Sequence, residues 1–191
     1  MADLMTLRKF EALSPFEIKD ELINLAKATS KTTQSAFLNA GRGNPNWIAT
    51  TPREGFFLLG QFALLESKRV TWNPVGIGGM PQANGIAGRF EAWLGKHHEM
   101  PGAEFLSEML KFAVGKFGFA ADAFVHELVD SIIGDNYPVP DRMLLHNERI
   151  VQEYLQWAMC GEPRPPGKFD LYAVEGGTAA MCYIFKSLKA N

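Results

Sequence analysis

The segment near the end of the chain constrains the fold most, because it joins an apolar run to a glycine turn and then to a second apolar stretch. Residues 169–174 are mostly apolar, which predicts a strand buried on both faces of a parallel sheet. The run passes through residues 175–178, Glu-Gly-Gly-Thr, into residues 179–188, which predict a helix. Free backbone N–H groups and the positive end of a helix meet at such a turn. The turn is therefore a candidate anion site.

Two other interpretations of this turn follow from its residues. It lacks the lysine of a Walker loop and does not have the GxGxxG spacing, so a nucleotide loop is disfavoured. A Gly-Gly-Thr sequence also occurs in plain turns, because glycine is the default residue wherever the backbone must bend tightly. The anion site and the plain turn both stay open on the residues alone.

The rest of the chain predicts helices. Residues 14–17, Ser-Pro-Phe-Glu, form a capping box that starts a first helix. Residues 51–54, Thr-Pro-Arg-Glu, form a second box before an almost wholly apolar helix at 52–68, which we expect to be deeply buried. Further helices are predicted around 86–97, 102–117, 122–133 and 141–159. On the 122–133 helix, we expect His126, Glu127 and Asp130 to form the polar face toward solvent.

A parallel strand needs neighbouring strands, and the sequence contains no second convincing one after residue 174. The chain stops at Asn191, a few residues past the final predicted helix. We therefore expect the front part of a larger α/β protein. The segment should be mostly helical, with the first strand of a larger sheet near its C-terminus.

Composition excludes several classes of function. The net charge of −2 leaves no excess of cations for nucleic-acid phosphates. No run of 18 apolar residues predicts a membrane span, and the first residues do not resemble a secretory signal, so we expect a cytoplasmic protein. Cys160 and Cys182 are predicted to be reduced core residues. The adjacent His97 and His98 point apart on a helix, so we expect them to face solvent and bind no metal.

Three motifs, in order along the chain, resemble the aspartate 4-decarboxylase family. They are residues 38–46 (Leu-Asn-Ala-Gly-Arg-Gly-Asn-Pro-Asn), 135–140 (Asp-Asn-Tyr-Pro-Val-Pro) and 173–181 (Ala-Val-Glu-Gly-Gly-Thr-Ala-Ala-Met). The resemblance runs from about residue 14 to residue 188. It implies a pyridoxal 5'-phosphate enzyme of aminotransferase fold type I, which converts L-aspartate to L-alanine and CO2 and also transaminates to a 2-oxo acid. Family members continue beyond this end and carry the Schiff-base lysine there, which implies that the segment alone is inactive.

The resemblance also implies roles for residues that bind the cofactor. Gly176, Gly177 and Thr178 match the family's phosphate cup, in which backbone N–H groups and the threonine hydroxyl bind the cofactor phosphate. Tyr137 matches the aminotransferase tyrosine that reaches the phosphate of the neighbouring subunit. The alternative for Tyr137 is a structural tyrosine packed against Pro138.

Two further segments match the substrate side of the family's site. Arg42 and Gly43 fall in the N-terminal loop over the substrate, where glycine permits close approach and arginine binds a carboxylate with two hydrogen bonds. The alternative for Arg42 is a surface arginine in a turn. Lys19 falls in the helix that covers the family's active site, and on the sequence alone it is equally an ordinary solvated lysine.

The resemblance divides the chain into three parts. Residues 1–50 form an N-terminal helix and substrate loop, residues 51–134 a family-specific helical insertion for assembly, and residues 135–191 the start of the cofactor-binding large domain. It implies a homodimer that assembles further into a dodecamer-like homo-oligomer. An ordinary class I aminotransferase is disfavoured, because it does not need the long helical stretch at 86–134. The alternative function is a stand-alone, non-catalytic module for anion binding or oligomer assembly.

Overall fold

A computed structural model of the 191-residue chain describes residues 11–33, 48–70, 76–134, 142–164 and 166–190. The chain divides into two compact units, Met1–Ile48 and Ala49–Asn191. Every regular element within the described ranges is helical. None of those helices is both long enough and apolar enough to cross a membrane.

The first unit contains helix α1, Pro15–Thr33. Its predicted capping box is confirmed, because the Ser14 N–H donates to Glu17 Oε2 at 2.8 Å and the Glu17 N–H donates to Ser14 Oγ at 3.3 Å. Hydrogen bonding of the carboxylate to the Ser14 hydroxyl, followed by that to the Ser14 N–H, holds the pKa of Glu17 below its usual range. The box therefore fixes the start of α1 where the sequence predicts it.

The second unit begins with four helices that pack together. They are α2 (Thr51–Arg69), α3 (Ile86–Lys96), α4 (Pro101–Phe117) and α5 (Ala121–Ile133). α2 packs against α4 and α5, and α3 packs against the same two helices. We call these four helices the helical block. The bounds of α3, α4 and α5 agree with the sequence prediction to within one residue.

Aromatic side chains fill the centre of the helical block. Phe62 of α2 and Phe90 of α3 lie 4.8 Å apart between ring centroids, and Phe124 of α5 is equally inaccessible to solvent. Around them pack aliphatic residues of all four helices: Leu58, Leu59, Ala63, Ile86, Ala87, Leu94, Ala103, Leu106, Leu110, Ala113, Val125, Leu128 and Val129. The block thus has a continuous apolar core of its own.

Two carboxylates join the helices of the block. Glu66 of α2 is 2% exposed, and its carboxylate accepts hydrogen bonds from Arg89 of α3 (Nη2 to Oε2, 2.7 Å) and from Arg69. Asp122 at the start of α5 accepts from the N–H groups of Gly85 at 2.8 Å and Ala87 at 2.9 Å. These bonds, with Ala87 first, lower the pKa of Asp122. Asp122 therefore caps the first turn of α3 from another helix.

The structure corrects the prediction for α2. The helix buries only one face, while Phe56, Phe57, Leu64 and Leu65 are 58%, 67%, 53% and 48% exposed on the other. The reason is that α4 and α5 cover one side alone. The predicted capping box at 51–54 is also wrong, because the N–H groups of Arg53 and Glu54 donate to the Thr50 backbone oxygen instead.

The chain continues through α6, Leu145–Leu155, which passes into a single π-helical turn, Gln156–Cys160. The predicted helix at 141–159 therefore exists, but residues 142–144 lie outside it. The last helix is α7, Gly177–Ala190. Cys160 and Cys182 are both free, as predicted, yet both are exposed, so their predicted place in a core is wrong. Neither α6 nor α7 has a fully buried residue. Ile150 of α6 packs partly buried against the core of the helical block, whereas no other described helix covers the apolar face of α7.

The polar residues of α5 also depart from the prediction. The His126 ring lies 3.0 Å (Nε2) from the Pro81 backbone oxygen and 3.2 Å (Nδ1) from Asp130 Oδ2. Glu127 accepts from the N–H groups of Leu145 and His146 at 2.6 and 3.0 Å, and so caps the start of α6. The face expected to point to solvent is instead partly covered, because the chain returns over it.

Residues 168–174, which lead into α7, are neither helix nor strand. The strand predicted at 169–174 is thus not formed. The reason is physical: a strand forms only when a neighbouring strand shares its backbone hydrogen bonds. None of the described residues forms such a strand.

Candidate functional site

The candidate site is the glycine turn that opens α7. Gly176 has φ +90°, in the left-handed region where a side chain strains the backbone, so glycine is required there. Its N–H donates to the Val174 backbone oxygen at 2.8 Å, and its own backbone oxygen accepts from the Ala180 N–H at 3.1 Å. The second bond is the first of the helix, so Gly176 is the residue from which α7 starts.

The residues after Gly176 face open space. A Cβ built on Gly176 or Gly177 would meet no atom within 4 Å, and Thr178 is exposed. The first N–H groups of a helix have no partner within it, and the helix dipole makes that end positive. The turn therefore offers backbone donors, a hydroxyl and a favourable field to an anion the size of phosphate.

Contacts with α6 anchor the segment before the turn. Gln152 Nε2 donates to the Phe169 backbone oxygen at 3.3 Å. Arg142 forms ion pairs with Asp170 (Nη1 to Oδ1, 3.1 Å) and Glu148 (Nη2 to Oε1, 2.8 Å). Arg142 was not among the predicted site residues, since nothing in the spacing of residues 142 and 170 indicates that they meet.

A cavity of about 760 Å³ lies between residues 172–175 and α7. Its walls are mainly apolar, and they come from Tyr172, Val174, Tyr183, Ile184 and Leu188. The same side chains are between 36% and 68% exposed. This apolar surface adjoins the polar turn, so the turn lies at the rim of a face that lacks a cover among the described residues.

Three predicted site residues lie outside the described residues. They are Arg42 and Gly43 of the substrate loop, and Tyr137. Lys19 belongs to the first unit, where its Nζ lies 2.9 Å from Asp20 Oδ1 and 5.9 Å from the centre of the Phe16 ring. The structure thus places Gly176, Gly177 and Thr178 in one open turn, and the roles of all seven predicted site residues stay predictions.

The histidine pair gives a mixed result. His98 is exposed, as predicted, but His97 stacks on Trp93 with 4.1 Å between ring centroids, and its Nδ1 lies 2.8 Å from the Trp93 backbone oxygen. Among the described residues, no group of three His, Cys, Asp or Glu side chains is arranged to bind a metal ion.

The fold and the turn together define a helical protein segment with an open glycine turn at a helix N-terminus. No family model matches the chain. The chain is 50% identical over 185 residues to the bifunctional aspartate aminotransferase and L-aspartate beta-decarboxylase of a Pseudomonas species. The alignment takes in 96% of this chain and 34% of that relative, so the chain spans about a third of the relative's length. This similarity confirms the resemblance predicted from the three motifs.

Proposed function

We propose that this chain forms the N-terminal part of a pyridoxal 5'-phosphate enzyme that decarboxylates L-aspartate to L-alanine and also transaminates it. The observation that carries the proposal is the open glycine turn, since it lies within a chain that is 50% identical to an aminotransferase and beta-decarboxylase over 96% of its length. The alternative, a stand-alone module for anion binding or assembly, is not favoured by this similarity.

The turn fits the phosphate of the proposed cofactor. The backbone N–H groups of Gly177 and Thr178 and the Thr178 hydroxyl would bind the phosphate oxygens, and the positive end of α7 would balance their charge. The left-handed Gly176 lets the backbone bend before the helix begins. The bound cofactor would supply an electron sink for bond cleavage at the substrate, and this chain would fix its phosphate end.

The substrate and partners complete the proposal. Arg42 and Gly43 would bind a carboxylate of L-aspartate or of the 2-oxo acid, with Lys19 in the covering helix. Tyr137 would donate to the phosphate of a neighbouring subunit in a homodimer, which would assemble further. The lysine that binds the cofactor covalently would lie in the part of the relative that this chain does not match. The two free cysteines suit a reducing, cytoplasmic location.

The test uses a full-length polypeptide that carries this chain. We expect Thr178→Val to weaken pyridoxal 5'-phosphate binding, because it removes a hydrogen bond to a charged group worth about 1.5–3 kcal/mol. That range corresponds to about 10- to 150-fold in the dissociation constant, measured by equilibrium dialysis. Thr178→Ser keeps a hydroxyl and should bind almost as well as the wild type. Equal affinity of the valine and serine variants would contradict the proposed phosphate site.

A further inference from the structure

We propose that Arg142 is a positioning residue that holds the glycine turn in place for its anion. The inference rests on the proposed function, because it assigns a role relative to the same phosphate site. Arg142 lies just before α6 and does not reach the turn itself. It acts instead on residues 168–174, the segment that delivers the chain to Gly176.

Arg142 makes three contacts with one guanidinium group. Its Nη1 lies 3.1 Å from Asp170 Oδ1, and its Nη2 lies 2.8 Å from Glu148 Oε1. The guanidinium carbon also lies 5.1 Å from the centre of the Tyr172 ring. Asp170 and Tyr172 precede the turn and Glu148 belongs to α6, so a single side chain joins the two.

Few other contacts stabilise residues 168–174, the segment before the turn. It forms no strand hydrogen bonds, and none of its residues is buried. Within the described part of the chain, side-chain contacts from α6 and the residues before it reach this segment through Arg142 and Gln152. Since Gly176 hydrogen-bonds to Val174, a shift of the segment would move the turn with it.

The three contacts of Arg142 depend on the planar shape of the guanidinium group. A planar guanidinium can donate to two carboxylates and stack on a ring at once, whereas a lysine ammonium is a single point charge. Hydrogen bonding to Asp170, followed by that to Tyr172, raises the pKa of Arg142, so the group stays charged at every relevant pH. Lysine at this position would keep the charge and lose the bridge.

The chain offers a matched control in Arg164. This arginine is also about one third exposed, and its Nη1 and Nη2 lie 2.6 and 2.8 Å from the Glu153 carboxylate of α6. It ties the loop after the π-helical turn to α6 and makes no described contact with residues 168–178. Arg142→Gln and Arg164→Gln therefore both remove an ion pair with a glutamate of α6. Only Arg142→Gln also removes a contact with the segment before the turn.

The experiment measures dissociation constants in a full-length polypeptide carrying this chain, with two probes: pyridoxal 5'-phosphate and pyridoxal, which lacks the phosphate. We expect Arg142→Gln to weaken binding of the phosphorylated probe about tenfold and to leave pyridoxal binding unchanged. Arg142→Lys should show most of the same loss. Asp170→Asn, which removes one end of the bridge, should show a smaller loss, and Arg164→Gln should bind both probes as the wild type does.

The outcomes separate this inference from the proposed function. If Thr178→Val weakens binding but Arg142→Gln and Asp170→Asn do not, Arg142 has no positioning role and the phosphate site stands. Equal losses in Arg142→Gln and Arg164→Gln, or equal losses for both probes, would show a general effect on folding and would likewise overturn the role. If Thr178→Val binds as the wild type does, the phosphate site itself is wrong, and the inference falls with it.

Discussion

The helical block and the region from residue 142 to residue 190 differ in how deeply their side chains are buried. In the block, aromatic and aliphatic side chains of four helices are almost fully buried, and the few buried polar groups are paired. From residue 142 onward, no described residue is fully buried. Leu144 and Ile150 pack partly buried against the core of the block, and hydrogen bonds and ion pairs make most of the other contacts that the structure describes between elements. The candidate site lies in the second region.

This difference indicates where each region obtains its stability. Apolar burial contributes about 25 cal/mol per Å², so the block obtains most of its stability from its own buried side chains. Exposed ion pairs contribute only about 0–1 kcal/mol each, which leaves α7 and the turn dependent on surfaces that would cover them. The exposed apolar residues of α7, such as Ile184, Phe185 and Leu188, mark the face where such a cover is needed.

The largest effect should come from the centre of the block. Phe90→Ala removes a fully buried ring that contacts Phe62, and we expect it to lower the free energy of unfolding by about 3–5 kcal/mol. Urea unfolding followed by circular dichroism measures this loss. Phe57→Ala removes a ring that is 67% exposed and should change the value by no more than about 0.5 kcal/mol. Similar losses in both variants would show that burial in the block does not determine its stability.

A smaller effect should come from the buried carboxylate of the block. Glu66→Gln keeps the shape but loses the charge that two arginines bind, so we expect a loss of about 1.5–3 kcal/mol. Burial raises the pKa of Glu66, but the hydrogen bonds from Arg89 and Arg69 outweigh it and lower that pKa below 4.5. This stabilisation is therefore present above pH 4.5 and decreases as the pH falls through the folded-state pKa.

The matched control is Glu108→Gln in the pair of Glu108 and Lys111, both well exposed on α4. We expect unfolding curves between pH 3 and pH 7 to show the acid-dependent loss in wild type and to show it weakened in Glu66→Gln. The Glu108 variant should follow the wild type. A wild-type stability that does not change across this interval would show that the Glu66 pairs contribute nothing.

The smallest effect should come from the second region. Hydrogen bonds from Arg164, then Lys116, lower the pKa of Glu153 to about 2. This stabilisation is present in full above the ordinary pKa of 4.5 and is lost progressively as the pH falls from there toward 2. We expect Glu153→Gln to speed hydrogen exchange in residues 161–164 without changing exchange in α5, and Glu162→Gln to change neither. Faster exchange in α5 would show that the stability of the block depends on Glu153, and unchanged exchange at 161–164 would show that the pair with Arg164 does not stabilise this loop.

Local patterns in the sequence predicted what local physics determines. The capping box at Ser14 and Glu17 and the bounds of α3, α4 and α5 depend on residues close in sequence, and they were predicted correctly. The glycine turn was found for the same reason, since Gly176 needs its left-handed backbone whatever lies around it.

Contacts between distant residues could not be predicted in this way. Glu127 was assigned to solvent because its helical position is polar, but the backbone of residues 145–146 returns over it. The same reasoning failed for Cys160 and Cys182, whose apolar character does not show whether another element covers them. Arg142 was missed because its importance lies in a meeting with Asp170 and Tyr172. Each of these contacts or exposures depends on tertiary structure and cannot be recognised from the spacing of residues in the sequence.

The cap that Asp122 places on α3 has a consequence for the order of folding. α3 has 11 residues, which is too short to be stable by itself in water. The carboxylate that completes its first turn belongs to Asp122, which lies 35 residues after Ala87 and 37 residues after Gly85. During synthesis α3 therefore leaves the ribosome before its cap exists, and its first turn is secured only after α5 has emerged and docked. The block should consequently fold in one cooperative step, in which α3 becomes stable only when α5 docks.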